Sequence, residues 1–157
     1  FALIGSLVQK KLGKLVGLAP GSDMLQAVKI AQKKNIPLLL IDQDIRVTLR
    51  RFSQAFSWTE KWRFLSDMVK GLFFPKAEMK KYGMDELDLR KVPPAQLVDM
   101  LLRQVKGRYP NLYRVLVTER NEYMIKKLKK VVAEKPEARI VVVVGAGHRK
   151  EMEKGLL

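Results

Sequence analysis

The sequence predicts a helix-rich α/β domain with a small, mostly parallel sheet. Two observations carry the sheet. Leu38-Leu39-Leu40-Ile41 and Ile140-Val141-Val142-Val143-Val144 are short, uninterrupted apolar runs, the pattern of strands buried on both faces. Each follows a helix-period stretch closed by a proline, Pro37 or Pro136, which is the helix–turn–strand order of a parallel α/β unit. A third observation carries the helices: over most of the remaining chain, apolar residues recur at intervals of three and four.

Phe1, Leu3, Ile4, Leu7, Val8, Leu12, Leu15 and Val16 mark a first helix, with Gln9, Lys10, Lys11 and Lys14 on its other side. It reads either as a helix covering a core or as a cationic helix lying in a membrane interface. Gly17, Pro20 and Gly21 stop it. Ser22 is the expected N-cap of a helix that carries Met24, Leu25, Val28 and Ile30 and runs to Lys34, where Asn35 and Pro37 close it before the first strand. Asp44 opens the next helix through Ile45, Val47, Leu49 and Phe52. Thr59 opens another, holding Trp62, Phe64, Leu65, Met68 and Val69 as core candidates. Gly71 to Gly83 reads as a connector and Asp85 to Arg90 as a short helical turn. Pro93-Pro94 begins a helix with Leu97, Leu101, Leu102 and Val105, because a first-turn amide needs no intrahelical partner. Gly107 and Pro110 end it. Leu112 to Glu134 is helical with a break near Thr118. The second strand follows Pro136, its four valines favouring a pleated backbone, and Lys150 to Leu157 closes the chain as a helix.

With 157 residues the chain is long enough for one domain with its own core. It has no cysteine, which excludes disulfides, thiolate metal sites and a cysteine nucleophile. Its formal charge of +15 favours polyanionic partners, whether nucleic acid, anionic lipid or acidic protein. The lysines are dispersed, as in Lys126-Lys127, Lys129-Lys130 and Lys76, Lys80, Lys81, and no nucleic-acid motif accompanies them. No apolar stretch reaches the length of a membrane span, and Phe1 to Ala19 lacks the order of a signal peptide.

Three places could carry chemistry. Gly145-Ala146-Gly147-His148 directly follows the second strand, where α/β proteins bind ligands, and its glycines would let a substrate or anion approach the backbone. His148 is the sole histidine, so a metal bound by this chain would need carboxylates beside it. In Glu119-Arg120-Asn121-Glu122 the two glutamates share a helix face and could hold a cation or divide acid and base roles; equally, they could simply complement the helix dipole. Arg120 offers a planar fork for a carboxylate or phosphate, and Asn121 both donates and accepts. In Asp42-Gln43-Asp44-Ile45-Arg46, Asp42 ends the first strand, while Arg46 and Arg50 project together as a candidate anion site or as ion-pair partners.

Taken together, these stretches resemble the TraB/PrgY family. The matching segments are Pro20-Gly21-Ser22-Asp23-Met24, Ile41-Asp42-Gln43-Asp44-Ile45 with Thr48-Leu49-Arg50-Arg51, Glu119-Arg120-Asn121-Glu122-Tyr123-Met124 and Gly145-Ala146-Gly147-His148, in family order. The resemblance implies an EreA/ChaN-like fold related to the Tiki metalloproteases. It implies a metal-dependent hydrolase or peptidase-like module that inactivates peptides, in the manner of pheromone shutdown. His148 is similar to the second Gly-x-x-His histidine of that group, and Arg120 with Asn121 to its arginine–asparagine pair. Joining the resemblance to the reading of the residues, the expected catalytic set is His148, Arg120, Asn121 and Glu119, with Arg46, Arg50, Gly145 and Gly147 toward substrate or anion. A divalent ion (Mn²⁺, Co²⁺ or Zn²⁺) would be held by His148, Glu122 and Asp42.

The chain lacks that group's first Gly-x-x-His motif, has Gln43 where arginine is common, and follows His148 with Arg149-Lys150-Glu151. The expectation is therefore a piece shortened at its amino terminus, soluble and on the cytoplasmic side, from a membrane-associated parent, and inactive by itself. A different class of function is a non-catalytic regulatory module that binds peptide, nucleic acid or anionic lipid through its basic surface. A third expectation is self-association into a homo-oligomer that covers exposed apolar surface.

Overall fold

The computed structural model describes residues 21–73 and 95–157. The expected helix at 1–16 and the short turn at 85–90 lie outside them, as does the expected Gly71–Gly83 connector apart from residues 71–73, which are helical instead. The described residues are 76% helical and contain no strand, which overturns the α/β expectation with its mostly parallel sheet. The chain divides into two compact units, one comprising 1–40, 88–93 and 140–144, the other 41–87, 94–139 and 145–157.

In the first unit, α1 spans Ser22–Lys33. Its N-cap is Gly21, whose φ of 79° lies in the left-handed region, so Ser22 is the first helical residue and not the cap. The helix ends in a Schellman motif. Asn35 takes φ 52°, its N–H donates to Gln32 O, and Ile36 N–H donates to Ala31 O. Both runs read as buried strands are irregular here, and they are open to solvent: Leu40 is 73% exposed and Val141 89%. Apolar composition favours an extended backbone, but a strand exists only through a ladder with a neighbour, and no ladder forms among the described residues.

The second unit holds six helices and a wide turn among its described residues: α2 (Ile45–Ala55), α3 (Trp58–Phe73), α4 (Ala95–Arg108), α5 (Pro110–Tyr113), a π-helical turn (Arg114–Thr118), α6 (Glu119–Glu134) and α7 (Ala146–Leu156). Asp44 caps α2, its carboxylate accepting from Arg46 N–H at 2.8 Å. Ser57 and Glu60 form a capping box at α3. Glu60 N–H donates to Ser57 Oγ at 3.2 Å, and Glu60 Oε2 accepts from Ser57 N–H at 3.1 Å. Pro110 stands in the first turn of α5 instead of only ending α4.

The core comprises Phe56, Tyr109, Tyr113, Val115, Met124, Leu128 and Met152, with Thr48, Glu60 and Asn121 as its buried polar members. Rings run through it in sequence: Phe52 stacks on Phe56 at 4.9 Å, Phe56 meets Phe64 edge-on at 6.0 Å, and Phe64 meets Tyr109 at 6.3 Å. Trp62, expected in the core, is 67% exposed, and Trp58 is 74% exposed with Lys61 Nζ 4.6 Å from its ring. Asp67 of α3 takes hydrogen bonds from Arg108 and from the Tyr109 hydroxyl, and Asp99 of α4 pairs with Lys150 of α7. α7 lies hard against α6. A Cβ placed on Gly155 would fall 2.4 Å from Ile125 Cδ1, so a larger residue there would push the end of the Ile125 side chain aside. No helix among the described residues is long and apolar enough to cross a membrane.

Candidate functional site

The ends of three segments meet around His148. Asp42, just ahead of α2, forms a two-pronged ion pair with Arg120 in the first turn of α6: Nη2 donates to Oδ2 at 2.6 Å and Nε to Oδ1 at 3.1 Å. Arg120 Nη1 also donates to Leu116 O in the π-helical turn at 3.1 Å. Wide turns of this kind occur often at functional sites. Asn121, the next residue, is 2% exposed. Its Oδ1 lies 2.6 Å from His148 Nδ1, and its Nδ2 donates to Glu151 Oε2 at 2.6 Å. Glu151 Oε1 accepts from the Tyr113 hydroxyl at 2.8 Å.

The electrostatics follow from this packing. Burial and the neighbouring Arg120 charge lower the His148 pKa below 6.5, outweighing the opposing effect of Asp42 and Glu151, so the imidazole is neutral near pH 7. Burial pushes the Asp42 carboxyl up, but the hydrogen bonds and charge of Arg120, with the Gln43 N–H, hold it below its ordinary value. Burial and the Glu151 carboxylate push the Tyr113 hydroxyl up to about 12, so it remains a donor.

Asp42, Arg120, Asn121 and His148 are thus brought together. The other residues singled out from the sequence are not. Glu119 sits between Arg51 (3.4 Å) and Arg114 (3.8 Å), lining an open pocket of about 250 Å³ that His148 does not touch. Arg46 folds back onto Asp44 at 2.7 Å. Arg50 and Glu122 are exposed and join no ion pair among the described residues. Gly145 is the N-cap of α7 and Gly147 lies within that helix. Neither has a positive φ, so neither provides a left-handed, glycine-only turn for an anion. The helix begins at Ala146, which places His148 in its first turn.

Among the described residues the expected divalent-ion set does not assemble. No group of three potential ligands occurs among the described residues, and Glu122 does not join His148 and Asp42. His148 Nδ1 is engaged by Asn121, both Asp42 oxygens by Arg120, and both Glu151 oxygens by Asn121 and Tyr113. Sequence reasoning missed Glu151 and Tyr113. The spacing of His148 and Glu151, three apart, was the available signal for the first; Tyr113 had none.

Comparison with known proteins places this geometry in context. The chain is 34% identical over 140 residues to an uncharacterized protein of Methanocaldococcus jannaschii, covering 89% of this chain and 33% of that protein. It is 28% identical over 163 residues to the TraB domain-containing proteins of Homo sapiens and Mus musculus, covering 94% of this chain and 40% of each. The chain therefore spans between a third and two-fifths of the length of these relatives. No solved structure matches it. The TraB/PrgY/gumN family model matches residues 4–155, nearly the whole sequence and every residue around His148, and the chain belongs to that family.

Proposed function

We propose that the protein hydrolyses peptide bonds, with His148 as the base that takes a proton from the attacking water. The observation that supports this most is a neutral, half-buried imidazole held beside the Asp42–Arg120 pair. An uncharged base is what proton abstraction requires. Arg120 commits three of its five N–H groups to Asp42 and Leu116, leaving two for an oxygen that gains negative charge as water adds to the carbonyl carbon. The proton held on His148 then passes to the leaving amine as the C–N bond breaks. No hydroxyl among the described residues is hydrogen-bonded to His148, and the chain has no cysteine, so water is the nucleophile in this reading. Inactivation of a signalling peptide, the activity that the family resemblance implied, is one use of such chemistry.

The test is cleavage of a fluorogenic peptide library by the full-length protein that carries this chain, run with and without Mn²⁺, Co²⁺ or Zn²⁺, because the chain by itself is expected to be inactive. His148→Ala is expected to lower turnover by about a hundredfold or more. Arg120→Lys should also lower it, since an ammonium cannot reproduce the two-pronged pairing. Turnover unchanged by His148→Ala would remove the base and overturn the proposal.

One observation favours a second reading. Lys126, Lys129 and Lys130 are all exposed on α6 of a chain with net charge +15, a surface suited to an anionic partner. Binding without turnover, weakening steeply with added salt, would select that reading.

A further inference from the structure

We propose that Glu151 is a positioning residue that selects the tautomer of His148, acting through Asn121 and steadied by Tyr113. The argument rests on which atoms can donate. A carboxylate only accepts. Glu151 receives the Tyr113 hydroxyl on one oxygen and the Asn121 amide nitrogen on the other, at 2.8 and 2.6 Å. Asn121 must therefore turn its NH₂ toward Glu151, and its carbonyl oxygen then faces the ring. Two acceptors cannot share a hydrogen bond, so at 2.6 Å from Oδ1 the His148 Nδ1 carries the hydrogen. The lone pair is left on Nε2. Asn121 is 2% exposed, which leaves no room for bulk water to satisfy a reversed amide. His148 and Glu151 lie three apart on α7, one helix carrying both ends of the relay.

This inference rests on the proposed function only in its activity arm. The structural arm is ¹⁵N NMR of the imidazole in the neutral form, which is uncrowded because the chain has a single histidine. The wild-type ring is expected as the Nδ1–H tautomer, the opposite of the preference of free histidine. Glu151→Gln, nearly the same shape but able to donate as well as accept, is expected to release Asn121 and move the ring to mostly Nε2–H. Tyr113→Phe, which keeps the carboxylate, should leave Nδ1–H dominant. An Nε2–H ring in the wild type overturns the assignment, and does so even if the variant fails to fold; a move to Nε2–H in Glu151→Gln supports it. In the activity arm, Glu151→Gln is expected to lower kcat at least about tenfold with KM little changed, as when an orienting group is lost. Tautomers as expected in a protein that cleaves no peptide would leave this assignment standing and overturn the hydrolase reading.

Discussion

Two carboxylates of the second unit each join parts of the chain that are far apart in sequence, and they do so in opposite ways. Glu60 is 2% exposed and accepts only from neutral donors: Ser57 N–H and Oγ, Asn111 N–H at 2.8 Å and Asn111 Nδ2 at 3.1 Å. Asp42 is half-exposed and faces a charged guanidinium. The first arrangement uses every acceptor on groups that are themselves fixed by helix ends, and leaves nothing for a ligand. The second leaves two Arg120 protons uncommitted beside an uncharged ring. A closed polar knot stabilises a fold. An open one can also bind.

The contrast can be tested by breaking each side. Glu60→Ala should have the largest effect on stability, about 2 kcal/mol, because it strands partly buried donors at the starts of α3 and α5; urea unfolding followed by circular dichroism measures it. The Glu60 carboxyl is pushed up by burial but held below 4.5 overall by the Asn111 and Ser57 donors. Its contribution is therefore complete above about pH 4.5 and lost as pH falls through the lower folded value.

The next effect lies in a different pH window. The His148 pKa is lowered by folding, so below 6.5 the unfolded chain takes up the proton first, and stability falls as pH drops from there to the folded value. His148→Gln should abolish that slope while leaving the Glu60 window intact, which unfolding curves across the two ranges would reveal. Asp42→Ala should cost only about 1 kcal/mol, since the pair is solvent-screened. The same substitution should lower the His148 pKa further by removing a charge that raises it, readable by NMR titration. Smallest of all, Trp58→Ala and Trp62→Ala should each change stability by about 0.5 kcal/mol or less, given their exposure.

The helices were legible because each carries its own instructions. Asp44 before Ile45 and the period of Leu97, Leu101 and Leu102 act within one or two turns, whereas the Ser57–Glu60 box, two residues ahead of the expected start at Thr59, was not read. The sheet was misread because a run such as Leu38-Leu39-Leu40 reports only affinity for burial, whereas a strand depends on a partner elsewhere in the chain. Trp62 was misplaced for a similar reason: helical spacing says which residues share a face, not which face is covered. Around His148, the sequence marked Asp42, Arg120, Asn121 and His148 as separate short motifs, and folding joins them. Glu119 and Glu122 have the same chemistry and lie within three residues of Arg120, yet Glu119 turns to Arg51 and Arg114 and Glu122 to solvent. Side-chain direction along a helix is set by its registration against the rest of the fold.

The π-helical turn between Tyr113 and Asn121 fixes that registration. Eight residues along a regular α-helix turn through two circuits and about 80° more, which would send the two side chains in different directions. A turn that swallows one surplus residue makes eight behave as seven, about 20° short of two circuits, and the phenol and the amide then grip opposite oxygens of one carboxylate. A protein one residue shorter here would still be helical throughout. Its phase would be kept, and with it the grip on Glu151; the same eight residues wound as a regular α-helix would lose both.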